Sequence, residues 1–152
     1  MENIISFNTK FGWISVSENK NFITKIQFKK GKNKGKKTKK LIKVKKNIIL
    51  YFENKKKIID AKIKVEGKTV EKKIWRELRK IRKGRTKSYG EIAKKFKISP
   101  RYVGRVCGKN QHILVIPCHR VLKSDGTLGG FSAPGRAKLK KKLLKFEGLI
   151  FK

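Results

Sequence analysis

A thiol and an imidazole stand side by side at Cys118 and His119, within the stretch Pro117-Cys118-His119-Arg120-Val121. An ionised thiol is a strong nucleophile, and a neighbouring imidazole can take up its proton, so the pair could perform nucleophilic chemistry. The same stretch could equally place an inert thiol in the core. The choice between the two depends on the elements that position Cys118.

The segment before the cysteine is the apolar run Ile113-Leu114-Val115-Ile116. A short run of this kind, rich in β-branched residues, predicts a buried strand or extended segment. Pro117 then stiffens the backbone just before the thiol. We therefore expect Cys118 to be held in a fixed position at the end of a buried segment.

A basic helix over residues 135–147 is predicted near the end of the chain. Leu139, Leu143 and Glu147 follow one another at intervals of four residues, so Glu147 shares a face with apolar side chains. A carboxylate on that face needs a partner, because an unpaired buried charge is costly. The three lysines at 140–142 are expected to form a solvated face of the helix.

Two short helices joined by a tight turn are predicted before the cysteine stretch. Ser88-Tyr89-Gly90-Glu91 matches a capping box, and Ser99-Pro100 places a capping residue before proline at the first helical position. The second helix covers about residues 100–108, with Val103, Val106 and Cys107 on its buried face. An amphipathic helix over 70–83 precedes the pair, with Thr69 as its expected cap and with Ile74, Leu78 and Ile81 on one face. Two helices so joined resemble a helix-turn-helix, although other small helical domains share the pattern.

The first part of the chain is predicted to be β-rich. Residues 11–16, 22–28 and 58–65 alternate like strands, with a hairpin turn at 19–21 and the end of a helix at 48–52. The lysine-glycine run over 29–37 is expected to be a flexible loop that does not pack. The fold class is therefore α+β, with a small N-terminal domain over 1–66 and a mostly helical C-terminal domain over 67–152.

The charge is extreme: 44 lysines and arginines against 10 acidic residues give a net charge of +34. Such a charge attracts polyanions such as nucleic acid, although a general lysine bias of the sequence would produce the same excess. Two cysteines without zinc-site spacing predict neither a disulfide framework nor a metal site, and we expect no cofactor. No apolar run approaches bilayer length and no signal peptide is apparent, so no membrane partner is expected.

Several motifs, in order, resemble those of the O6-alkylguanine-DNA alkyltransferases. They occur as Pro117-Cys118-His119-Arg120-Val121 and at the positions 88–93, 101–104, 129–132 and 143–148. The match runs without a break from about Thr69 to Gly148. It extends weakly into the first part of the chain, at 9–13 and 51–52. The resemblance implies a ribonuclease H-like N-terminal domain and a C-terminal domain with a winged-helix-like helix-turn-helix.

The activity implied by the resemblance is repair of O6-alkylguanine in duplex DNA by a single, irreversible transfer of the alkyl group to Cys118. His119 would take the thiol proton through a water molecule, and Glu147 would orient His119. Tyr89 would donate to the purine ring, and Asn110 would brace the turn before the active site. The protein would be a monomer of the cytoplasm, associated with the nucleoid, or of the nucleus in a eukaryote.

A base inside a duplex cannot reach a buried thiol, so it must be flipped out of the helix. The resemblance implies docking in the minor groove, with Arg101 filling the vacated stack. The implied DNA-binding residues are Ser99, Arg101, Tyr102, Gly104 and Arg105. The implied base pocket consists of Tyr89, Cys118, Arg120, Val121, Phe131 and Ser132, with Arg120 also open to a structural role.

Several positions depart from the family pattern. Tyr102 and Arg105 stand where small residues are usual, and Gln111 and Ile113 stand where proline is usual. Two other functions remain open on the sequence: a relative that binds alkylated DNA without transferring the group, and a basic module that packages nucleic acid. Relatives of the first kind lack the cysteine, so the presence of Cys118 argues against it.

Overall fold

The computed structural model describes residues 1–128 and 136–150, and for residue 136 it describes the backbone alone. The chain forms two compact units. One comprises Met1–Val65 with Gln111–Val115, and the other comprises Glu66–Asn110 with the chain from Ile116 onward. The described elements include a three-stranded antiparallel sheet and five α-helices, which confirms the α+β class.

The first unit begins with a meander of strands β1 (Asn3–Thr9), β2 (Gly12–Asn19) and β3 (Phe22–Gln27). The two strands predicted for this region are confirmed as β2 and β3. The turn between them is confirmed as well, because Lys20 and Asn21 both have positive φ values, 49° and 68°. Two such residues suit a tight hairpin whose twist matches that of the strands. β1 was not predicted.

Helix α1 (Lys39–Phe52) packs against this sheet. Thr38 caps its start by accepting a hydrogen bond from the backbone N–H of Leu41. The buried side of the helix includes Leu41, Val44 and Ile48, at the spacing that a helix requires. The helix end predicted at 48–52 is confirmed.

The lysine-glycine run over 29–37 is a loop, but the expectation that it does not pack is wrong. Lys34 pairs with Ile4 of β1 through two backbone hydrogen bonds of 2.8 and 2.9 Å. Asn33 Oδ1 accepts from the backbone N–H of Ser6 at 2.9 Å. The other edge of β1 is paired with β2, so these bonds satisfy backbone groups on the edge of β1 that β2 leaves open. They anchor the backbone of the loop.

The strand predicted over 58–65 is also wrong: within this segment only Ile63 forms a bridge, with Ile23 of β3. The free edge of β3 is shared with a second segment. Ile26 donates to the carbonyl of Gln111 at 2.8 Å and accepts from the N–H of Ile113 at 3.0 Å. Each segment therefore has only a short stretch of β3 with which to pair.

The second unit begins with helix α2 (Thr69–Leu78), which ends five residues before the predicted position 83. Lys68 rather than Thr69 is its N-cap, and Glu71 accepts from the Lys68 N–H at 2.8 Å. Ile81 is buried, as its spacing predicts, although it lies beyond the helix. Because the chain has left the helix there, the carbonyl of Ile81 is available to a side chain of the site described below.

Helices α3 (Tyr89–Phe96) and α4 (Pro100–Gly108) confirm the predicted pair. The capping box is present: Ser88 accepts from the Glu91 N–H at 3.0 Å, and Glu91 accepts from the Ser88 N–H at 3.2 Å. Ser99 caps α4 by accepting from the Tyr102 N–H at 3.1 Å. Lys97, in the left-handed conformation, makes the turn between the helices.

The apolar run before the cysteine is buried, but it is not a strand. Leu114 has a positive φ of 72°, and the run folds into turns. Cys118–Arg120 then forms a 3-10 turn, after which strand β5 (Val121–Leu122) pairs in parallel with β4 (Lys87–Ser88). Helix α5 (Arg136–Phe146) is close to the range predicted for it.

Candidate active site

Cys118 begins the 3-10 turn and is 3% exposed. Burial raises the pKa of its thiol, whereas a hydrogen bond from Asn110 and the charge of Lys140 oppose the rise. Backbone N–H groups of Cys118 and His119 also favour the ionised form. The resting thiol is therefore protonated, and the groups around it are arranged to stabilise a thiolate once the proton is removed.

Asn110, two residues beyond α4, connects the cysteine to the backbone before it. Its Nδ2 donates to the carbonyl of Ile116 at 2.8 Å and to Sγ of Cys118 at 3.2 Å. An amide nitrogen has two hydrogens, so one side chain can make both bonds. The first bond fixes the turn, and the second directs a donor at the sulfur.

His119 and Glu147 form a buried pair, with 3.0 Å between Nε2 and Oε2. Burial lowers the pKa of His119 below its usual value, although Glu147 opposes this shift. The imidazole is thus neutral at neutral pH. Because an ionised carboxylate can only accept, Nε2 carries the hydrogen of the pair, and Nδ1 is the ring nitrogen that can accept a proton.

Glu147 is held in its charged form by Arg120. The guanidinium donates from Nε to Oε1 at 2.8 Å and from Nη2 to Oε2 at 2.7 Å. Nη1 donates to the carbonyl of Ile81 at 2.7 Å. Burial alone would raise the pKa of Glu147, but the hydrogen bonds from Arg120 and His119 outweigh it and hold that pKa well below its usual range. Glu147 therefore has the partner that its buried position requires.

Lys140 on α5 is fully buried, so the prediction that residues 140–142 form a solvated face is wrong at this position. Its Nζ donates to the hydroxyl of Tyr89 at 3.3 Å and lies 5.4 Å from the centre of that ring. Burial lowers the pKa of Lys140 to about 8. Burial raises the pKa of Tyr89, with further contributions from Cys107 and Cys118, so the phenol stays protonated.

Of the remaining residues expected in the base pocket, the structure describes Val121 but not Phe131 and Ser132. Val121 is fully buried in β5, next to the 3-10 turn. Cys107 is buried on α4, as its apolar neighbours predict, and burial raises the pKa of its thiol.

The residues expected to bind DNA lie on or next to α4. Arg101 and Arg105 are exposed, and the guanidinium of Arg105 lies 5.7 Å from the centre of the Tyr102 ring. Tyr102 is half-buried under this contact. Gly104 has Tyr89 as its neighbour, and an added Cβ would be 4.0 Å from that ring, which is ordinary contact. Ser99 is occupied as the helix cap.

A protein-family model matches residues 69–149 and is described as "6-O-methylguanine DNA methyltransferase, DNA binding domain". The matched range covers more than half of the chain and includes every described residue of the site. The chain belongs to the 6-O-methylguanine DNA methyltransferase family. The resemblance drawn from the sequence motifs is thereby confirmed.

Curated relatives carry the name methylated-DNA–protein-cysteine methyltransferase. The relative from Sulfolobus acidocaldarius is 40% identical over 99 residues, which are 65% of this chain and 62% of that protein. The relative from Methanosarcina acetivorans is 37% identical over 100 residues, which are 64% of this chain and 63% of that protein. The aligned part of this methyltransferase-family chain thus spans less than two thirds of the length of these relatives.

Solved structures of the family share the fold. The O6-methylguanine methyltransferase of Mycobacterium tuberculosis has a TM-score of 0.85 at 23% identity, covering 97% of this chain and 93% of that one. The O6-methylguanine DNA methyltransferase of Methanococcus jannaschii has a TM-score of 0.71 at 27% identity, covering 97% and 95%.

Two features of this methyltransferase-family site were missed from the sequence. The bond from Asn110 to the sulfur of Cys118 has no local signal, because it depends on the turn between them. The burial of Lys140 did have a local signal: Lys140 precedes Leu143, Leu144 and Glu147 by three, four and seven residues, which places the four on one helix face.

Among residues 1–128 and 136–150 no cluster of three His, Cys, Asp or Glu could hold a metal ion. No helix in the same ranges is long and apolar enough to cross a bilayer.

Proposed function

We propose that this protein repairs O6-alkylguanine in DNA by moving the alkyl group to Sγ of Cys118. The observation that carries the proposal is the buried thiol with the Asn110 donor at 3.2 Å, next to a neutral imidazole that Glu147 orients. A thiolate is a soft nucleophile suited to displacement at an alkyl carbon, and the surrounding donors would stabilise it. The names of the curated relatives support the same reaction.

The reaction begins with loss of the thiol proton. His119 takes it through a water molecule at Nδ1, the nitrogen that is not bound to Glu147. The neutral state of the buried imidazole makes this transfer possible at neutral pH. Glu147, kept ionised by Arg120, stabilises the imidazolium that forms.

The alkyl transfer is then a single displacement. A bond forms between Sγ and the alkyl carbon, and the bond between that carbon and O6 of guanine breaks. The electron pair stays on the guanine, and the Tyr89 hydroxyl donates a hydrogen bond to the purine as its negative charge develops. The guanine anion then takes up a proton from solvent, and His119 releases the thiol proton to solvent, so the base is restored. The product is a thioether at Cys118, which does not regenerate the thiol, so each molecule acts once.

Access to a base in duplex DNA requires that it be flipped out. We propose that α3 and α4 act as a winged-helix-like helix-turn-helix docked in the minor groove, with Arg101 in the vacated stack. The base pocket would consist of Tyr89, Cys118, Arg120, Val121, Phe131 and Ser132, with Ser99, Tyr102, Gly104 and Arg105 among the residues at the DNA. The protein would act as a monomer, at the nucleoid in the cytoplasm or, in a eukaryote, in the nucleus. Residues 1–66 would be a ribonuclease H-like domain and 67–152 the alkyltransferase domain.

The test is the mass of the intact protein after incubation with a duplex carrying O6-methylguanine. We expect a gain of one methylene group at Cys118, confirmed by peptide mapping. Cys118→Ser should abolish the gain, whereas Cys107→Ser, which changes the other buried thiol, should keep it.

The two other functions predict different results in the same experiment. A protein that only binds alkylated DNA would retain the modified duplex in preference to an unmodified one and gain no mass. A packaging module would bind both duplexes equally and gain no mass. Either result would overturn alkyl transfer.

A further inference from the structure

A cavity of about 420 Å³ lies in the first unit, and none of the residues assigned to the alkyl-transfer site lines it. One of its walls is a stripe of α1. Ile42, Lys45, Lys46, Ile49 and Leu50 line it, at the helical spacing of three, four, seven and eight residues. Ile42 is 53% exposed and Ile49 is 38% exposed, so this stripe presents apolar side chains that the fold itself leaves uncovered.

The other wall comes from β1 and the anchored loop that follows the sheet. Ile5, Ser6, Asn33 and Lys37 line it. The loop is fixed there, because Asn33 binds the Ser6 N–H at 2.9 Å and Ser6 Oγ accepts from the Gly31 N–H at 3.1 Å. The cavity is therefore built by hydrogen-bonded backbone on one side and a helix on the other. Its volume lies within the range of about 300–1,000 Å³ typical of ligand sites.

The charge around the cavity has one sign. Three lysines, Lys37, Lys45 and Lys46, line it, and no acidic residue does. They belong to a segment over 29–46 that contains eleven lysines and no Asp or Glu. None of the ion pairs found among the described residues includes a lysine of that segment. Nζ of Lys45 lies 5.5 Å from the centre of the Phe7 ring, a contact that does not neutralise its charge, so all three lysines can still pair with an anionic ligand.

We propose that this cavity binds an acidic peptide segment of a partner protein, with an apolar side chain of the peptide in the cavity and its carboxylates on the three lysines. An exposed apolar patch bordered by polar residues is typical of a protein interaction site. The charges would steer the partner and fix its orientation, and the isoleucines would supply contact area.

A nucleic acid fits the same cavity less well. Binding of single strands relies on aromatic side chains for base stacking, and no aromatic residue lines the cavity. Contacts to duplex phosphates need the lysines but make no use of Ile42 and Ile49. The apolar wall is what favours the peptide.

The experiment measures fluorescence anisotropy of a short labelled peptide in which aspartates flank a Leu-Phe pair. The matched probe carries Ser-Ser in place of Leu-Phe. A protein with a charge of +34 attracts any acidic peptide, so the dependence on the apolar pair is the decisive measurement. We expect the serine probe to bind about tenfold more weakly.

The same loss is expected when the protein is changed instead of the peptide. Ile42→Ser combined with Ile49→Ser should weaken the Leu-Phe probe about tenfold and leave the serine probe unchanged. Ile58→Ser is the control, because Ile58 is 69% exposed and does not line the cavity. All these positions are at the surface, and circular dichroism with urea unfolding verifies that each variant is folded.

A charge variant completes the test. Changing Lys37, Lys45 and Lys46 to Gln should weaken both probes more than the same change at three exposed lysines elsewhere in the unit, Lys20, Lys25 and Lys57. Equal binding of the two probes, or no effect of the isoleucine changes, would overturn the proposal.

Other occupants give their own signatures. A DNA duplex that competes for the lysines while the isoleucines have no effect would indicate a phosphate surface. Self-association in sedimentation velocity that the isoleucine variant abolishes would indicate a second copy of the chain. Binding to vesicles of anionic lipid with the same isoleucine dependence would indicate a membrane surface. Each of these results contradicts the peptide site without bearing on alkyl transfer, which is tested by the mass of the protein at Cys118.

Discussion

Asn110 donates a hydrogen bond to the sulfur of Cys118 at 3.2 Å while the same nitrogen holds the carbonyl of Ile116 at 2.8 Å. The nucleophile and the backbone that leads to it are therefore fixed by one side chain. Burial raises the pKa of the thiol, and this bond is the largest of the effects that oppose the rise. Asn110 thus acts on both the position and the ionisation of Cys118.

The first prediction follows from that bond. Asn110→Ala should slow transfer from O6-benzylguanine, because the thiolate loses a donor worth about 1.5–3 kcal/mol for a charged acceptor. The corresponding loss in single-turnover rate is about ten- to a hundredfold. A rise in the pH at which the rate reaches half its maximum is expected with it. A slower rate with an unchanged pH profile would mean that Asn110 only positions the turn.

Glu147→Gln should destabilise the protein strongly. The substitution leaves the buried guanidinium of Arg120 without its anion, and breaking one partner of a buried pair typically costs about 3–5 kcal/mol. The free energy of unfolding in urea measures this. Glu53→Gln is the control, since its 3.9 Å contact with Lys55 is exposed and should contribute less than about 1 kcal/mol. Equal effects of the two substitutions would contradict the role of Glu147.

The free energy of unfolding should fall as the pH is lowered from 7 to 4. The pKa of His119 is lowered from 6.5 and that of Glu147 from 4.5, so the unfolded chain binds the protons more readily in both cases. The stability that these groups contribute is present above those values and is lost as the pH falls through them. Urea unfolding between pH 7 and pH 4 measures the slope, and His119→Gln should reduce it in the upper part of this range.

Lys140→Met should have opposite effects on stability and activity. The charged lysine is fully buried and its pKa is lowered from 10.5 to about 8, so its removal should stabilise the protein at neutral pH. That gain should shrink as the pH rises from 8 towards 10.5, where the wild-type lysine is neutral in the folded protein. Alkyl transfer should slow, because the charge of Lys140 favours the thiolate. The exposed Lys142→Met is the matched control.

Local signals account for the parts of the fold that could be predicted. The first residues of α3 and α4 follow from caps formed by neighbouring residues, Ser88 with Glu91 and Ser99 with Pro100. The buried position of Glu147 follows from helical spacing. These features need no knowledge of distant segments, because the donors and acceptors lie within one turn.

Tertiary contacts decide the parts that could not be predicted. Four apolar residues before Pro117 suit a strand, a helix or a buried turn equally. In the structure Gln111 and Ile113 pair with Ile26 of β3, and the residues that follow form turns. Lys140 shows a different limit. Its spacing indicates burial, but its residue type and the lysines around it favour solvent, and only the packed site shows which of the two prevails.

The last prediction concerns the exposed arginine at the start of α4. Arg101→Ala should slow repair of O6-methylguanine in a duplex far more than transfer from free O6-benzylguanine, because only the duplex has a stack to fill after the base is flipped. The exposed Arg85→Ala removes the same charge outside α4 and should affect the two substrates equally. Single-turnover rates on both substrates, at matched salt concentration, decide the point. If Arg101→Ala slows both substrates equally, Arg101 does not fill the vacated stack.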